Sequence, residues 1–241
     1  MSRYVVQAGW DDVPHITDED KVELGSGLLP HQKDARMYGT PSLGSGAIYP
    51  VDEKDVFIQP IPLPNFYMRG YGLDVGWKCT AAIWGAMDRD NDIIYVYSEH
   101  YRGQAEPAVH AAAIKARGSW IKGAIDPAAR GRNQKDGTRL IEQYEHNGLK
   151  LEIADNAVEA GLLEVYQRLS TGRLKIFTTC TKLLSEYRIY RRDDKGRIVK
   201  QNDHAMDALR YLVMTFNEIG SNPPVQRAKA KQTIADKTVG Y

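Results

Sequence analysis

The stretch that decides the fold is NDHAMDALRY, residues 202–211, near the C-terminus. At helical spacing, Asp203 and Asp207 lie one turn apart on the same face. Met206 and Leu209 begin a neighbouring apolar stripe, which predicts burial against a core. Two carboxylates at this spacing repel each other, so we expect a cation between or near them. The simpler alternative is that both acids cap a helix N-terminus and favour its dipole.

Two further acids end apolar segments elsewhere in the chain. Asp74 closes a predicted strand in YGLDVGW, residues 71–77, and Asp126 closes another in WIKGAIDPA, residues 120–128. An acid in an apolar strand is costly unless it is paired or binds a metal, although Asp before Pro is also a common turn. Carboxylates suit Mg²⁺ or Mn²⁺, and two such ions can activate a water and stabilise the leaving oxygen of a phosphodiester. The acids predict such a site only if the fold brings them together.

In this order, the three acidic motifs resemble the nuclease domain of tailed-phage terminase large subunits, which has an RNase H/RuvC-like fold. The resemblance covers about residues 8–217, and DHAMDALRY is its most specific motif. Further segments that resemble the family are WDDVPH (10–15), AR (35–36), GSGAIYP (44–50), GRLKIF (172–177) and EYRIY (186–190).

The resemblance implies a metal-dependent endonuclease that cleaves double-stranded concatemeric viral DNA during genome packaging, with little sequence specificity. By this resemblance Asp74, Asp126 and Asp203 are the catalytic, metal-binding acids, and Asp207 is a fourth. Asp74 would bridge two Mg²⁺ or Mn²⁺ ions, and Asp126 and Asp203 would hold one each. The implied partners are double-stranded DNA, the terminase small subunit, the portal ring and an ATPase domain. The implied location is the cytoplasm of the bacterial host.

One feature of the terminase family is missing from the sequence. The phosphate-binding pattern G-x-x-x-x-G-K-[ST] does not occur, and Gly25-Ser26-Gly27-Leu28 lacks the lysine that such a loop requires. We therefore expect motor activity to come from elsewhere, and the chain to be a truncated reading frame or an expressed domain.

Composition is ordinary for a soluble globular protein, with 42% hydrophobic and 26% charged residues among 241. Cys79 and Cys180 are the two cysteines, so a disulfide framework is not expected. There is no signal-peptide pattern and no apolar run of membrane-spanning length. Because the net charge is only +1, nucleic-acid binding must depend on local basic patches.

The pattern of strands and helices predicts an α/β fold, an RNase H-like mixed sheet flanked by helices. We expect a linker segment at 1–66, the nuclease core at 67–218 and a flexible basic tail at 219–241. Short helices are predicted after Thr17 and at 31–37. The core elements predicted from periodicity are strands at 69–75, 80–87, 92–99, 121–126, 149–153 and 174–177, with helices at 106–117, 138–146 and 158–169.

Basic side chains near the acids are the candidate contacts to DNA phosphates, the alternative being a solvated surface. The region 182–200 carries several of them around the turn signal at 193–196, which predicts a β-hairpin. The complete candidate set is Lys78, Arg130, Arg132, Lys135, Arg188, Arg191, Arg192, Arg197 and Lys200.

Two further residues could assist the site. His204 could help a proton transfer or a second metal, but packing or a bond to the backbone is the interpretation we favour. Trp77 could touch substrate, but we expect it to pack in the core.

Three other interpretations of the sequence remain open. Asp74-Val75-Gly76 with Thr80 also resembles the phosphate loop of actin-like and sugar-kinase ATP-binding domains, although we find no second such loop. The chain could instead be a catalytically silent adaptor that binds DNA or a portal. It could also be an α/β domain whose function the sequence does not reveal.

Overall fold

The apolar strand pattern of the sequence forms one large sheet in the computed structural model, which describes residues 9–28, 36–37, 46–131 and 139–224. The strands in this part of the chain are Gly46–Ala47 (β1), Phe57–Ile58 (β2), Met68–Asp74 (β3), Thr80–Asp88 (β4), Ile93–Arg102 (β5), Lys122–Ile125 (β6), Leu151–Ile153 (β7), Leu174–Phe177 (β8) and Arg191–Arg192 (β9). The α-helices are Asp18–Ser26 (α1), Glu53–Val56 (α2), Pro107–Lys115 (α3), Leu140–His146 (α4), Val158–Ser170 (α5), Thr181–Ile189 (α6), His204–Met214 (α7) and Phe216–Ile219 (α8). Short 3₁₀ helices lie at Trp10–Asp12 and Pro127–Arg130.

Seven strands form a mixed sheet in the order β2-β8-β5-β4-β3-β6-β7. The three consecutive strands β3, β4 and β5 are antiparallel neighbours. On one side β6 pairs in parallel with β3, and β7 in parallel with β6. On the other side β8 pairs in parallel with β5, and β2 with β8. The predicted mixed α/β fold is confirmed.

Strand β4 shows why the sheet has a core on each face. Its side chains alternate, and both faces are covered, so the strand is apolar along its length. Ala81 and Ile83 belong to the core cluster that includes Leu209 of α7. Ala82 and Trp84 belong to the cluster on the opposite face, which is completed by side chains of α3 and α4. The sheet is therefore the middle of three layers.

The region between β8 and α7 differs from the predicted hairpin. Residues Thr181–Ile189 form helix α6, whose first backbone N–H groups at Lys182 and Leu183 donate to the Glu99 carboxylate. Only the turn beyond Arg192 has hairpin geometry, with Arg192 bridged to Ile198. The hairpin prediction was wrong for residues 182–189, because the acid that caps this helix comes from a distant strand.

The termini agree with the predictions in part. Thr17 and Asp20 form the predicted capping box at the start of α1. The helix expected at 31–37 lies largely outside the described residues, as do residues 225–241 of the predicted tail. The first residues of that tail are ordered, because Ser221 and Arg69 exchange backbone hydrogen bonds of 3.0 and 2.8 Å. Among the described residues, no helix is long and apolar enough to cross a membrane.

Helix α7 lies directly against the sheet because Gly72 has no side chain. A Cβ atom at Gly72 would lie 1.9 Å from the carbonyl oxygen of Ala208 and 2.7 Å from the backbone nitrogen of Leu212. Both contacts are with helix backbone, which cannot rotate away as a side chain can. The close approach of β3 and α7 therefore depends on glycine at this position.

We predict that Gly72→Ala lowers the free energy of unfolding by about 1–3 kcal/mol, because the added methyl group pushes α7 off the sheet. Gly27→Ala is the matched control, since a Cβ at Gly27 meets nothing within 4 Å. We expect the control to change stability by less than about 0.5 kcal/mol. Urea unfolding of the three proteins measures the difference, and equal stabilities would contradict the packing argument.

Candidate metal centre

Two of the four acids are brought side by side by the sheet itself. Strands β3 and β6 are parallel neighbours in which Leu73 pairs with Ile125, so Asp74 and Asp126 follow at the same edge. The backbone N–H of Asp126 donates to the Leu73 carbonyl at 3.0 Å. Parallel strands end together at their carboxyl edge, which is where ligand sites form in such sheets. The carboxylate of Asp126 also accepts from the N–H of Ala128, at the start of the following 3₁₀ turn.

The other two acids belong to the N-terminus of α7. Asp203 is the residue before the helix and is 6% exposed, and Asp207 lies one turn further on. The Nζ atom of Lys200 lies 3.0 Å from Oδ2 of Asp203 and 3.0 Å from Oδ2 of Asp207. Arg210 is buried and places Nη2 3.1 Å from Oδ1 of Asp207. Lys200 is thus the cation that the acid spacing predicts.

His204 joins the two pairs of acids. Its Nδ1 lies 2.8 Å from Oδ2 of Asp74, so this bond links the start of α7 to the end of β3. The expectation that His204 packs or bonds to the backbone was wrong, because α7 turns this ring toward β3. The bond to Asp74 raises the pKa of His204. A protonated His204 would place a positive charge between acids that otherwise repel one another.

The electrostatics of Asp74 show that the acids act on one another. Burial raises the pKa of Asp74, and the hydrogen bond from His204 opposes that shift. The negative charges of Asp207 and Asp126 raise it further. Acids from two other elements therefore contribute to the electric field at the Asp74 carboxylate. A positive ion in this field would be stabilised by all of them.

The donor set fits a hard divalent cation. The Oδ2 atom of Asp203 is buried and accepts no well-directed hydrogen bond from the described residues, although Lys200 is close. In the described part of the chain, no three His, Cys, Asp or Glu side chains surround one point closely enough to hold a metal ion. An ion here would therefore be held by pairs of carboxylates and by water, as Mg²⁺ commonly is.

Comparison with known proteins places this geometry in a family. Residues 72–216 match the family described as Terminase RNaseH-like domain, which is more than half of the chain. The chain belongs to this family. That membership decides against the actin-like alternative.

Individual relatives show how far the similarity of this terminase domain extends. The large terminase subunit of Salmonella phage P22 is 31% identical over 97% of this chain and 48% of its own length. The chain spans about half the length of the curated relatives it matches. The solved nuclease domain of the P22 large terminase has a TM-score of 0.68 at 29% identity, covering 75% of this chain and 96% of that one. The bacteriophage SPP1 nuclease domain, solved with bound Mn, has a TM-score of 0.51 at 18% identity, covering 70% and 99%.

The terminase domain has one buried acid near the site that the sequence did not single out. Glu186 of α6 is 3% exposed and accepts hydrogen bonds from the backbone N–H groups of Ala205 and Met206 at 2.7 and 3.2 Å. The hydroxyl of Tyr101 donates to its other oxygen at 2.7 Å. Glu186 therefore caps α7 in place of a local residue. The sequence could have indicated this acid, because Glu186 shares a helix face with the apolar residues Leu183 and Tyr187.

Four of the seven candidate DNA-contacting cations that the structure describes are paired with acids. Arg188 makes two bonds to Glu53, Arg197 pairs with Asp193, and Arg192 is buried against Glu159. Lys200 pairs with the acids of α7, as described above. The exposed cations without an ion pair to any described carboxylate are Lys78, Arg130 and Arg191. Arg132 and Lys135 lie outside the described residues.

Trp77 is exposed, and the prediction that it packs in the core was wrong. Its side chain is 65% exposed in the loop between β3 and β4. Strand β3 ends at Asp74, after which the chain leaves the sheet, and Val75 is the last apolar residue before Trp77 that packs against the core. Trp77 therefore lies beyond the end of β3, outside the core in which the sequence suggested it would pack.

We predict that Glu186→Ala lowers the free energy of unfolding by about 2–4 kcal/mol, because two N–H groups of α7 and one hydroxyl lose a buried charged acceptor. Glu164→Ala is the matched control, since Glu164 forms a partly exposed pair with Arg168 within one helix. We expect the control to cost less than about 0.5 kcal/mol. Urea unfolding reports both values, and similar losses for both variants would contradict a capping role for Glu186.

Proposed function

We propose that this terminase domain is a divalent-metal-dependent endonuclease that cleaves double-stranded concatemeric viral DNA during genome packaging. The observation that carries the proposal is the arrangement of four acids in linked pairs. Asp74 and Asp126 follow neighbouring parallel strands, Lys200 contacts both Asp203 and Asp207, and His204 of the helix bonds to Asp74. A purely structural site has little reason to bury Asp74 and Asp203 beside other acids at a cost in repulsion and desolvation. The family match and the similarity to the P22 nuclease domain support the same activity.

The acids lie on different elements, with Asp74 and Asp126 at the ends of β3 and β6 and Asp203 at the start of α7. Asp74 ends the strand next to that of Asp126 and bonds to His204 of the helix, so Asp74, Asp126 and Asp203 are the residues that would hold the metal ions. Bound Mg²⁺ or Mn²⁺ would activate a water near neutral pH and stabilise charge on the phosphate. The SPP1 structure with Mn gives a precedent for such an ion on this fold.

Other side chains orient the acids. His204 holds the Asp74 carboxylate in one orientation through a 2.8 Å bond, and Arg210 does the same for Asp207 at 3.1 Å. Partners of this kind fix the geometry of metal-binding carboxylates and influence metal affinity. His204 is also near enough to the acids to hold a proton beside the reacting phosphate, which is the auxiliary role considered from the sequence.

DNA would approach along the edge of the sheet where the acids lie. Lys78 and Arg130 follow Asp74 and Asp126 by four residues each, so their charges stand beside the site. They can neutralise phosphates without reading bases, which fits cleavage with little sequence specificity. Arg132 and Lys135 follow Arg130 in the sequence and are candidate phosphate contacts on that ground. Arg188 and Arg192 would have to break their ion pairs to contact DNA. We therefore assign them a role in stabilising the fold.

The remaining roles follow from the whole terminase subunit. We propose that an ATPase domain, the small subunit and the portal ring are the partners, and that the protein acts in the host cytoplasm. These roles rest on the family match and on the half of the relatives' length that this chain spans.

We predict that the protein nicks and linearises supercoiled plasmid with Mn²⁺ or Mg²⁺ and is inactive in EDTA. Asp203→Asn should slow cutting by about a hundredfold or more, because it removes a metal-binding charge worth several kcal/mol. Asparagine preserves the shape of the side chain and is a good residue before a helix. The matched control is Asp90→Asn, an exposed acid in the turn at the opposite end of β4, which should cut at the normal rate.

Calorimetric titration with Mn²⁺ separates the possible failures. Metal binding that is lost in Asp203→Asn and kept in Asp90→Asn supports the site independently of cutting. A folded protein that binds Mn²⁺ and DNA without cutting would be the silent adaptor. Cutting by Asp203→Asn at the normal rate would show that the acids have been assigned wrongly.

A further inference from the structure

Trp77 belongs to a loop that is held rigidly while its side chain is left in solvent. The carbonyl of Trp77 accepts a 2.8 Å hydrogen bond from the backbone N–H of Gln104. The next carbonyl, of Lys78, lies against Gly103 so closely that a Cβ there would be 2.0 Å away. The loop between β3 and β4 is therefore fastened to the end of β5. An indole on a fixed backbone loses little conformational entropy when it binds a partner.

The position of this indole is beside the metal centre. Trp77 follows Asp74 by three residues and lines a cavity of about 490 Å³ together with Ala128 and Gly131, which follow Asp126. The cavity therefore lies between the two loops that leave the strand acids. Its volume is within the usual range for sites that bind small organic groups. We call it the Trp77 cavity.

The chemistry of the Trp77 cavity differs from that of a phosphate site. Its described walls include Pro107, Leu140 and Tyr144, and they contain no lysine or arginine. Among the described wall residues the charged one is Glu106, which would repel a phosphate. The cavity has apolar and aromatic walls and lies next to the proposed metal centre for phosphates. It is therefore suited to the other part of a nucleotide, the flat and uncharged base.

We propose that Trp77 and its cavity bind an unpaired nucleobase of the DNA strand beside the phosphate that is cut. This proposal rests on the proposed nuclease function and adds the state of the DNA that the site recognises. Bases inside an intact duplex are stacked on their neighbours, so a side chain can reach a base face only where the duplex is opened. Stacking on an aromatic side chain is tolerant of sequence because every base has a flat face. The enzyme would thus prefer distorted DNA while remaining indifferent to sequence.

The test is a comparison of DNA affinities without cutting. Two fluorescein-labelled duplexes of the same length are used, one fully paired and one with a central three-nucleotide mismatch. Binding is followed by fluorescence anisotropy at fixed salt, with Ca²⁺ in place of Mg²⁺ or Mn²⁺ to suppress cleavage. The proteins are the wild type, Trp77→Ala, Trp77→Phe and Phe66→Ala.

Phe66 is the matched control because it is an aromatic residue with 73% exposure at the other end of β3. The seven residues of β3 separate it from Trp77 by about 20 Å. Both alanine variants remove an exposed ring, so neither is expected to unfold the protein, and thermal unfolding verifies this. Trp77→Phe keeps a smaller flat ring for stacking.

We expect the wild type to bind the mismatched duplex more tightly than the paired one. Trp77→Ala should weaken binding to the mismatched duplex by roughly five- to a hundredfold and leave binding to the paired duplex within about twofold. Trp77→Phe should recover most of the loss, and Phe66→Ala should resemble the wild type.

Two results would overturn the base-binding role while leaving the nuclease intact. These are an unchanged affinity of Trp77→Ala for both duplexes, or equal losses on both, which would indicate a general contact to DNA. No binding of either duplex by the wild type would count against the proposed nuclease function itself, and the base-binding role would fall with it.

Discussion

The mutual repulsion of four carboxylates is the constraint on which the rest of the structure depends. Asp74 is 8% exposed and Asp203 is 6% exposed, so water screens their charges poorly. Burial and the neighbouring acids raise the pKa of Asp74, which shows that the site resists holding all its charges at once. Lys200 and Arg210 supply positive charge at fixed positions beside Asp203 and Asp207, and His204 holds Asp74 through a hydrogen bond. In the proposed function, a divalent metal ion would supply further positive charge among these acids.

The close packing of α7 on the sheet follows from the same constraint. The acids of β3 and α7 can interact only if the helix lies directly against the strand, and Gly72 permits that approach. Glu186 then fixes the start of the helix through two backbone N–H groups. The capping carboxylate comes from α6 and also accepts a hydrogen bond from Tyr101 of β5, so the start of α7 is tied to a neighbouring helix and to the sheet. A local side chain at the helix start could not have linked α7 to the strands in this way.

Two neighbouring parts of the surface are proposed to contact different parts of the DNA. The exposed cations near the strand ends would contact phosphates, and the Trp77 cavity would bind an uncharged base. The paired arginines of α6 and β9 serve the fold, since Arg188 joins α6 to Glu53 of α2 and Arg192 joins β9 to Glu159 of α5. Charge in the sequence was therefore a poor guide to charge available for binding. The acids in these pairs lie more than thirty residues away along the chain, where no local pattern reveals them.

The sequence by itself determined the alternation of strands and helices, the apolar face of α7 and the identity of the candidate acids. These features are local, because side-chain periodicity and the cost of an acid at a strand end are properties of neighbouring residues. Only the tertiary structure decided that His204 bonds to Asp74, that Glu186 caps α7, that residues 181–189 are helical and that Trp77 is exposed. Each of these depends on contacts between residues far apart in the chain, and such contacts exist only after the sheet has set which strand ends and helix ends meet.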